Sequence, residues 1–309
     1  MRVAVTGATG FLGRYIVERL VDAGHTCRCW YREASSGRPG SDRGPFEAMS
    51  AKIEWVKGDL SNAGSMRDLV SGVDAVVHAA LYRPGAGFRG AEGDVPTFVE
   101  RNVLGTIRLI EAARVTTEGP APGARRFIFI ATCAMHEVIL DDRNLDETHP
   151  LWPMTHYGAH KAAIEKFVHS YGLGDGYGIC SLRPTGIYGL TRPPAASKWY
   201  DVVRLVKEGK PIASARGGKE VHAADVAKAV ELLLTANGIA GQAYNCYDMY
   251  VSEQMVATIA KDITGSESRI EPLNKGPKHE IDTGKLRELG MSFGGKPLLE
   301  RTVREMLDS

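Results

Sequence analysis

The sequence predicts an α/β protein in which helices cover both faces of a doubly wound parallel sheet, with a smaller C-terminal lobe. Two observations carry this prediction. Short apolar runs alternate with amphipathic segments through the first two-thirds of the 309 residues, as expected for right-handed strand–helix–strand crossovers. Three glycines, Gly7, Gly10 and Gly13, also lie between the first apolar run and the first amphipathic segment.

The strands of the sheet are predicted from apolar runs before residue 185, which are RVAVTG, TCRCWYR, KIEWVKGDL, DAVVHAA, RRFIFIAT and YGICSLRP. The segment FLGRYIVERLVDAG predicts the first helix, because Leu12, Ile16 and Leu20 recur every four residues and Gly24 suits its C-terminal end. Further helical patterns cover residues 92–115 and 156–172. We expect Arg28, in the second strand, to face solvent.

Beyond residue 185 the alternation becomes irregular. The segment HAADVAKAVELLL then predicts a helix, and AYNCYD predicts a strand that returns to the sheet. The sheet domain is therefore expected to comprise residues 1–184 plus about 222–248. Residues 185–221 and 249–309 are expected to form a small lobe that binds substrate.

Composition excludes several classes of partner. The 38 Lys and Arg residues balance 37 Asp and Glu residues, so there is no electrostatic reason to expect nucleic acid or an anionic membrane surface. No apolar run is long enough to predict a membrane span, and the N-terminal residues lack the pattern of a secretory signal. The five cysteines show no metal-binding spacing, which predicts reduced thiols, no metal and a cytoplasmic location.

The three glycines suit a dinucleotide-binding turn. Gly7 would permit the tight turn, Gly10 would let the backbone approach a pyrophosphate, and Gly13 would let the helix pack on the sheet. The N-terminus of the following helix would then receive the phosphates. The alternative is a chance match in an ordinary turn, because glycine is common.

The stretch TGATGFLG resembles the TGxxGxxG fingerprint of the extended short-chain dehydrogenase/reductase superfamily, the NAD(P)-dependent epimerase/dehydratase group. Similar landmarks run along the chain, namely GDL (58–60), HAA (78–80), RNVLGT (101–106), YGAHK (157–161), RPTGIYG (183–189), VHAADVAKAV (221–230) and AYNCYD (243–248). The resemblance implies a Rossmann fold and a homodimer formed through residues 95–115 and 155–171. It also implies a set of cofactor-binding residues: Gly7, Thr9, Gly10, Phe11, Leu12, Gly13, Arg32, Asp59, Leu60, Ala79, Ala80, Lys161, Pro184 and Thr185.

Tyr157 and Lys161 are candidates for acid/base chemistry because their spacing puts them on one helix face. A free phenol has a pKa of about 10, and a nearby ammonium group can lower it by about one unit or more. Such a tyrosine could exchange a proton with a substrate oxygen while a hydride moves to or from nicotinamide. The resemblance adds Thr132, whose hydroxyl would bond the reacting oxygen, and Asn102, which would support the site. The alternative is an exposed helix face with an incidental tyrosine and lysine.

The end of the second strand decides the predicted cofactor. An acidic residue there would favour NAD, whereas an arginine accommodates the extra phosphate of NADP. Tyr31 and Arg32 occupy the position, which favours NADP with Ser35 or Ser36 as further donors. NAD stays possible, since Arg32 could simply be exposed.

The expected substrate is a small hydroxy or carbonyl compound, such as a sugar or sugar acid. Gly218 stands where the resemblance places an arginine that binds the diphosphate of nucleotide sugars, although Arg216 and Lys219 are neighbours. Cys133 and Ala134 stand where dehydratases carry acidic residues, which disfavours dehydration. The candidate substrate-binding residues are Tyr82, Arg83, Cys133, Arg192, Lys198 and Trp199.

Two other details bear on the pocket. We expect Cys133 to be a small buried residue and no nucleophile, because the sequence offers no base to stabilise a thiolate. His136 replaces an aromatic residue of the family and either alters the pocket or is exposed. The glycine-rich segment 83–94 is expected to close over the substrate.

Two other functions stay open beside a dehydrogenase or reductase. One is a nucleotide-sugar epimerase that recycles its cofactor. The other is a non-catalytic NADP(H)-binding sensor, which the presence of both Tyr157 and Lys161 disfavours.

Overall fold

The computed structural model describes residues 1–32, 44–85, 90, 92–114, 123–272 and 276–309. Its strands are β1 (Arg2–Thr6), β2 (Thr26–Tyr31), β3 (Ile53–Lys57), β4 (Ala75–His78), β5 (Arg126–Ile130), β6 (Ile179–Pro184), β7 (Gly186–Tyr188), β8 (Gly217–His222), β9 (Gln242–Cys246) and β10 (Met249–Ser252). Its α-helices are α1 (Phe11–Asp22), α2 (Ala63–Val70), α3 (Val95–Val99), α4 (Gly105–Arg114), α5 (His156–His169), α6 (Tyr200–Lys207), α7 (Ala223–Thr235), α8 (Glu253–Thr264), α9 (Gly284–Glu288) and α10 (Gly295–Leu307).

The main sheet has seven strands in the order β3-β2-β1-β4-β5-β6-β9, and every neighbouring pair is parallel. This arrangement confirms the predicted doubly wound α/β fold. The strand order reverses between β1 and β4, so a crevice opens there at the carboxyl ends of the strands, where ligands bind in such sheets.

Helices cover both faces of the sheet, as its parallel pairing requires. Strand β1 shows the division, because Val3 and Val5 join the apolar cluster under α1 and α7, whereas Ala4 joins the cluster on the opposite face. Leu109 of α4 and Ile164 of α5 lie in that second cluster.

A smaller sheet has the order β10-β8-β7, and helices α6, α8 and α10 pack beside it. Its separate apolar cluster includes Tyr188, Val206, Val256 and Leu299. Strand β9, which lies between β8 and β10 in the chain, pairs with β6 at the edge of the main sheet, as the pattern of residues 243–248 predicted.

The segment 92–115 is not one regular helix as predicted. Helix α3 is followed by a π-helical turn over Glu100–Leu104, and only then does α4 begin. Such wider turns are frequent at functional sites, and this one contains the buried Asn102.

The expected solvent-facing position of Arg28 is wrong. Its side chain is buried and forms ion pairs with Glu54 of β3 and Asp68 of α2, because α2 covers this part of the sheet. Ser35, Ser36 and residues 86–89 and 91 of the glycine-rich segment 83–94 lie outside the described residues. Across the described ranges, no helix combines the length and the apolar character that crossing a membrane requires.

Candidate active site

The glycine turn lies between β1 and α1. Gly7 has φ +72°, which favours glycine, and a Cβ there would lie 2.8 Å from backbone atoms of Ala79 and Ala80. A Cβ on Gly13 would lie 2.0 Å from the Gly7 carbonyl oxygen. Gly10 is the N-cap of α1, and no side chain caps the helix. The first N–H groups of α1 thus point into a crevice that suits an anion.

The predicted adenosine-binding residues lie at the same edge of the sheet. Arg32 is exposed just after β2, and Asp59 follows β3. The Asp59 carboxylate accepts hydrogen bonds from the Ser61 hydroxyl and backbone N–H. These bonds, together with the positive charges of Arg101 and Arg32, hold the pKa of Asp59 below its usual range.

The predicted nicotinamide-binding residues follow β6. Pro184 is its last residue and pairs with Cys246, and the Thr185 N–H donates to the Cys246 carbonyl oxygen at 3.1 Å. The Thr185 hydroxyl is buried and makes no hydrogen bond within the described structure. A buried polar atom of this kind calls for a partner. The glycine cradle and this hydroxyl therefore fit a nicotinamide dinucleotide.

A buried polar relay connects the glycine turn to α4. His78 Nδ1 lies 2.7 Å from the Thr6 hydroxyl, and Nε2 lies 2.8 Å from the Thr106 hydroxyl. The Thr106 hydroxyl donates its hydrogen to the Asn102 carbonyl oxygen at 2.5 Å, so the same oxygen accepts a hydrogen bond from His78 Nε2–H. Burial lowers the pKa of His78 to about 3. The ring is thus neutral and protonated on Nε2.

Asn102 extends this hydrogen-bond network to the segment that follows β4. Its Oδ1 accepts from the Tyr82 N–H at 2.8 Å, and its Nδ2 donates to the Tyr82 carbonyl oxygen at 2.9 Å. The same Nδ2 donates to the Phe98 carbonyl oxygen at 3.0 Å. Asn102 therefore fixes the backbone at the mouth of the crevice.

Tyr157 and Thr132 meet at the end of β5. Their side chains share a hydrogen bond, and the Thr132 Oγ1 also accepts from the Ala134 N–H at 3.1 Å. Burial raises the pKa of Tyr157, while the Thr132 hydrogen bond and the positive charge of Arg83 oppose the rise. The structure therefore joins the two hydroxyl groups that the sequence placed 25 positions apart.

Lys161 lies on the same helix as Tyr157, one turn later. Its Nζ donates to the Ile130 carbonyl oxygen at 2.7 Å and lies 4.5 Å from the centroid of the Phe129 ring. Burial lowers the pKa of Lys161 to about 7. The positive charge that opposes the rise in the pKa of Tyr157 is that of Arg83. Lys161, which was expected to lower this pKa, points at the strand backbone in this structure.

Cys133, after Thr132, is half-buried, and its thiol donates to the Arg183 carbonyl oxygen at 2.9 Å. Burial raises the pKa of Cys133 to about 12, which agrees with a thiol that is no nucleophile. His136 is buried beside Arg183, so it is not the exposed residue that one alternative allowed. Burial lowers the pKa of His136 to about 4. Arg183 itself forms a buried ion pair with Glu165 of α5.

The lobe holds the remaining candidates. Lys198 forms an ion pair with the buried Glu220 at 2.5 Å, and its Nζ lies 5.0 Å from the centroid of the Trp199 ring. Trp199 has φ +70° at the start of α6, an unusual conformation for a bulky residue that points to a functional or packing constraint. Arg192 is exposed, and its charge acts on Glu18 of α1. The charges of both cations are thus directed to carboxylates of this chain.

Several residues of the candidate site were not predicted from the sequence. His78 was noted only as part of a motif, and Thr6, Thr106 and His160 were not singled out. The His160 ring packs edge-on against Tyr157 with centroids 5.3 Å apart. Its position in the YGAHK segment was the one available signal. Among the residues described, no group of His, Cys, Asp and Glu side chains could hold a metal ion.

Known proteins resemble this chain in sequence and in fold. A 3-beta-hydroxysteroid dehydrogenase of Mycolicibacterium neoaurum is 32% identical over 191 residues, which are 61% of this chain and 48% of that protein. A trifunctional UDP-glucose 4,6-dehydratase/UDP-4-keto-6-deoxy-D-glucose 3,5-epimerase/UDP-4-keto-L-rhamnose-reductase of Arabidopsis thaliana is 25% identical over 306 residues, which are 93% of this chain and 44% of that protein. The chain thus spans a little under half the length of these relatives.

The crystal structure of UDP-glucose 4-epimerase from Thermus thermophilus, in complex with NAD, superposes with a TM-score of 0.76. It covers both chains completely at 23% sequence identity, and so it supports the fold. The model of the NAD dependent epimerase/dehydratase family matches residues 3–246. With a match of this extent over the sheet, the glycine turn and the Tyr157 helix, the chain belongs to the NAD dependent epimerase/dehydratase family.

Proposed function

We propose that this protein is an NAD(P)-dependent oxidoreductase that transfers a hydride to or from a carbon bearing oxygen on a small sugar, sugar acid or related substrate. The observation that carries the proposal is the hydrogen bond between the Thr132 and Tyr157 side chains, at the carboxyl edge of the sheet. Bound nicotinamide would supply or accept the hydride.

The chain's own residues would handle the proton. Thr132 would hold the substrate oxygen, and the Tyr157 hydroxyl would give it a proton in reduction or remove one in oxidation. The raised pKa of Tyr157 keeps its proton at neutral pH, which suits a general acid. Lys161 would bind the ribose of the cofactor.

A nucleotide-sugar epimerase is the second candidate. The whole-chain likeness in fold to a solved UDP-glucose 4-epimerase favours it. The ion pair of Lys198 with Glu220 favours a small sugar or sugar acid over a nucleotide sugar. The Glu220 carboxylate neutralises the positive charge of Lys198, which a diphosphate would need as a partner.

Tyr157→Phe tests the proposal. The apo protein is first examined by thermal shift with NADP, with NAD, and with UDP, GDP and dTDP added over saturating cofactor. Sugars, sugar acids and carbonyl compounds are then screened by nicotinamide absorbance. We expect Tyr157→Phe to bind cofactor normally and to lose about 10²-fold or more in turnover.

Unchanged turnover in Tyr157→Phe would overturn the acid/base role of Tyr157, and the absence of turnover in the wild type with every compound screened would favour a cofactor-binding sensor. A further thermal shift with a nucleoside diphosphate would favour the epimerase.

We propose NADP as the preferred cofactor. Arg32, exposed after β2, supports this because its guanidinium suits a 2′-phosphate. Arg32→Ala should weaken NADPH binding about tenfold or more and leave NADH binding unchanged. Equal losses for both cofactors would contradict the preference.

We also propose a homodimer in the cytoplasm. Val99, Leu104 and Phe167 are apolar residues of segments 95–115 and 155–171 that are 40% to 44% exposed, and Leu173, just beyond α5, is 68% exposed, which supports contact with a second copy. The five free cysteines support a reducing compartment. Light scattering of the purified protein tests the dimer, and a monomer mass would exclude it.

A further inference from the structure

A buried carboxylate in the small sheet has one oxygen without a partner. Glu220 of β8 is only 4% exposed. Its Oε1 accepts a hydrogen bond from the Lys198 ammonium at 2.5 Å, whereas its Oε2 makes no hydrogen bond within the described residues. Because a buried carboxylate oxygen without a donor is costly, this atom calls for a ligand that can donate a hydrogen bond.

The Glu220 carboxylate occupies space that two glycines leave free. A Cβ on Gly186 of β7, which pairs with Glu220, would lie 2.5 Å from Oε2. A Cβ on Gly218 would lie 2.8 Å from Oε1. Gly218 stands where the family resemblance places an arginine that binds a diphosphate. A negative group of this chain therefore lies where the side chain of that arginine would begin.

The same carboxylate lies beside the crevice. Gly186 is exposed, and it directly follows Thr185, whose buried hydroxyl fits the nicotinamide cofactor. Consecutive Cα atoms are about 3.8 Å apart, so a substrate that meets the nicotinamide lies close to Gly186. Since Gly186 carries no side chain, a substrate over it can approach Oε2 of Glu220.

Lys198 holds the other oxygen of the carboxylate. Its Nζ lies 5.0 Å from the centroid of the Trp199 ring, within the range of a cation–π contact. The Lys198 side chain is 39% exposed, so the ion pair lies at the boundary between the lobe and solvent. Burial raises the pKa of Glu220, and the Lys198 ammonium opposes that rise. The lysine therefore favours the ionised carboxylate.

We propose that Glu220 is a specificity-determining residue, which excludes phosphate and other anionic groups from this wall of the crevice and accepts a hydrogen bond from a substrate hydroxyl at Oε2. The inference rests on the proposed function and narrows it to substrates that present a neutral hydroxyl group here. The charge of the carboxylate supplies the exclusion, because like charges in contact cost affinity. Its unpartnered oxygen supplies the attraction.

Binding of inorganic pyrophosphate to protein saturated with NADPH tests the exclusion by isothermal titration calorimetry. The bound cofactor keeps the probe away from the glycine turn. We expect Glu220→Gln to bind pyrophosphate about tenfold or more tightly than the wild type, since the Lys198 ammonium then lacks its counter-charge. The gain should disappear in the double variant Glu220→Gln/Lys198→Met.

Glu208→Gln is the matched control. Glu208 forms an ion pair with Lys210 at 2.6 Å in the same lobe, but both side chains are exposed. This variant changes the net charge equally and should keep the wild-type affinity for pyrophosphate. Glu220→Ser, which also removes the carboxylate, carries the same expectation as Glu220→Gln and replaces it if the glutamine variant does not fold.

The substrate screen tests the attraction. The ratio of kcat/KM for a neutral sugar to that for its sugar acid should fall about tenfold in Glu220→Gln. An unchanged ratio, or a pyrophosphate affinity no higher than that of Glu208→Gln, would overturn the inference, as would a gain that persists without Lys198. The calorimetric measurement needs no turnover, so its failure is distinct from a failure of the proposed function, which Tyr157→Phe reports.

Discussion

Lys161 donates a hydrogen bond of 2.7 Å from its Nζ to the backbone carbonyl oxygen of Ile130, the last residue of β5. The lysine is 5% exposed, and burial lowers its pKa to about 7. The bond ties helix α5 to the strand that leads to Thr132. It thereby fixes the distance between the two elements that carry the site.

The stability of the protein should depend on this lysine above neutral pH. In the unfolded chain a lysine keeps its proton up to a pH of about 10.4, whereas the folded protein releases it near 7. The unfolded state binds more protons between these values, so the free energy of unfolding rises with pH across this window. In Lys161→Met this contribution is absent.

Thermal unfolding at several pH values checks the prediction. The melting temperature of the wild type minus that of Lys161→Met should increase from a pH of about 7 to about 10. Lys166→Met, which changes an exposed lysine of the same helix, is the control and should show a constant difference. A constant difference for Lys161→Met as well would contradict the lowered pKa.

His78 should stay neutral in mildly acidic solution, with its proton on Nε2. The folded pKa, about 3, lies below the unfolded value of about 6.5, so stability is lost as the pH falls through this interval. Nitrogen chemical shifts of the labelled ring report both the tautomer and the titration. A ring that is protonated on Nδ1, or that titrates near its ordinary pKa, would show that the relay runs differently.

Gly13→Ala should destabilise the protein by several kcal/mol or prevent folding, because the added Cβ would overlap the Gly7 carbonyl oxygen. Any Gly13→Ala protein that does fold should fail to bind NADPH. Gly174→Ala is the control, since no atom lies within 4 Å of its Cβ position. Chemical denaturation measures both variants. An unchanged free energy of unfolding in Gly13→Ala would mean that the turn can move to make room for the added methyl group.

Glu165→Gln should cost about 3–5 kcal/mol, because it leaves the buried Arg183 guanidinium without its counter-charge. Glu111→Gln breaks a half-exposed pair with Arg114 and should cost less than about 1 kcal/mol. Urea unfolding of both variants tests the difference. Similar small losses would indicate that water reaches Arg183.

Local patterns predicted much of this molecule correctly. The glycine turn, the parallel sheet and the return of residues 243–248 to that sheet follow from periodicity and spacing. Tyr157 and Lys161 share a helix as their spacing predicted. These features depend on residues near one another in the chain, where side-chain direction follows directly from backbone geometry.

Pairings between distant segments could not be predicted in this way. The ion pairs of Arg28 with β3 and α2, and of Lys198 with Glu220, join residues of different elements. The burial of His136 depends on Arg183, 47 positions away. The sequence shows each charge, but only packing shows which opposite charge it meets.

The sequence by itself determined the fold class, the glycine turn after the first strand and the placement of Tyr157 and Lys161 on one helix, since these are encoded by local spacing. Only the tertiary structure decided the electrostatics of that pair. Lys161 donates to the Ile130 carbonyl oxygen, and the positive charge of Arg83 opposes the rise in the pKa of Tyr157 that burial causes. The physical reason is that a pKa depends on burial and on charges brought close by folding, and both are set by contacts between segments far apart in the chain.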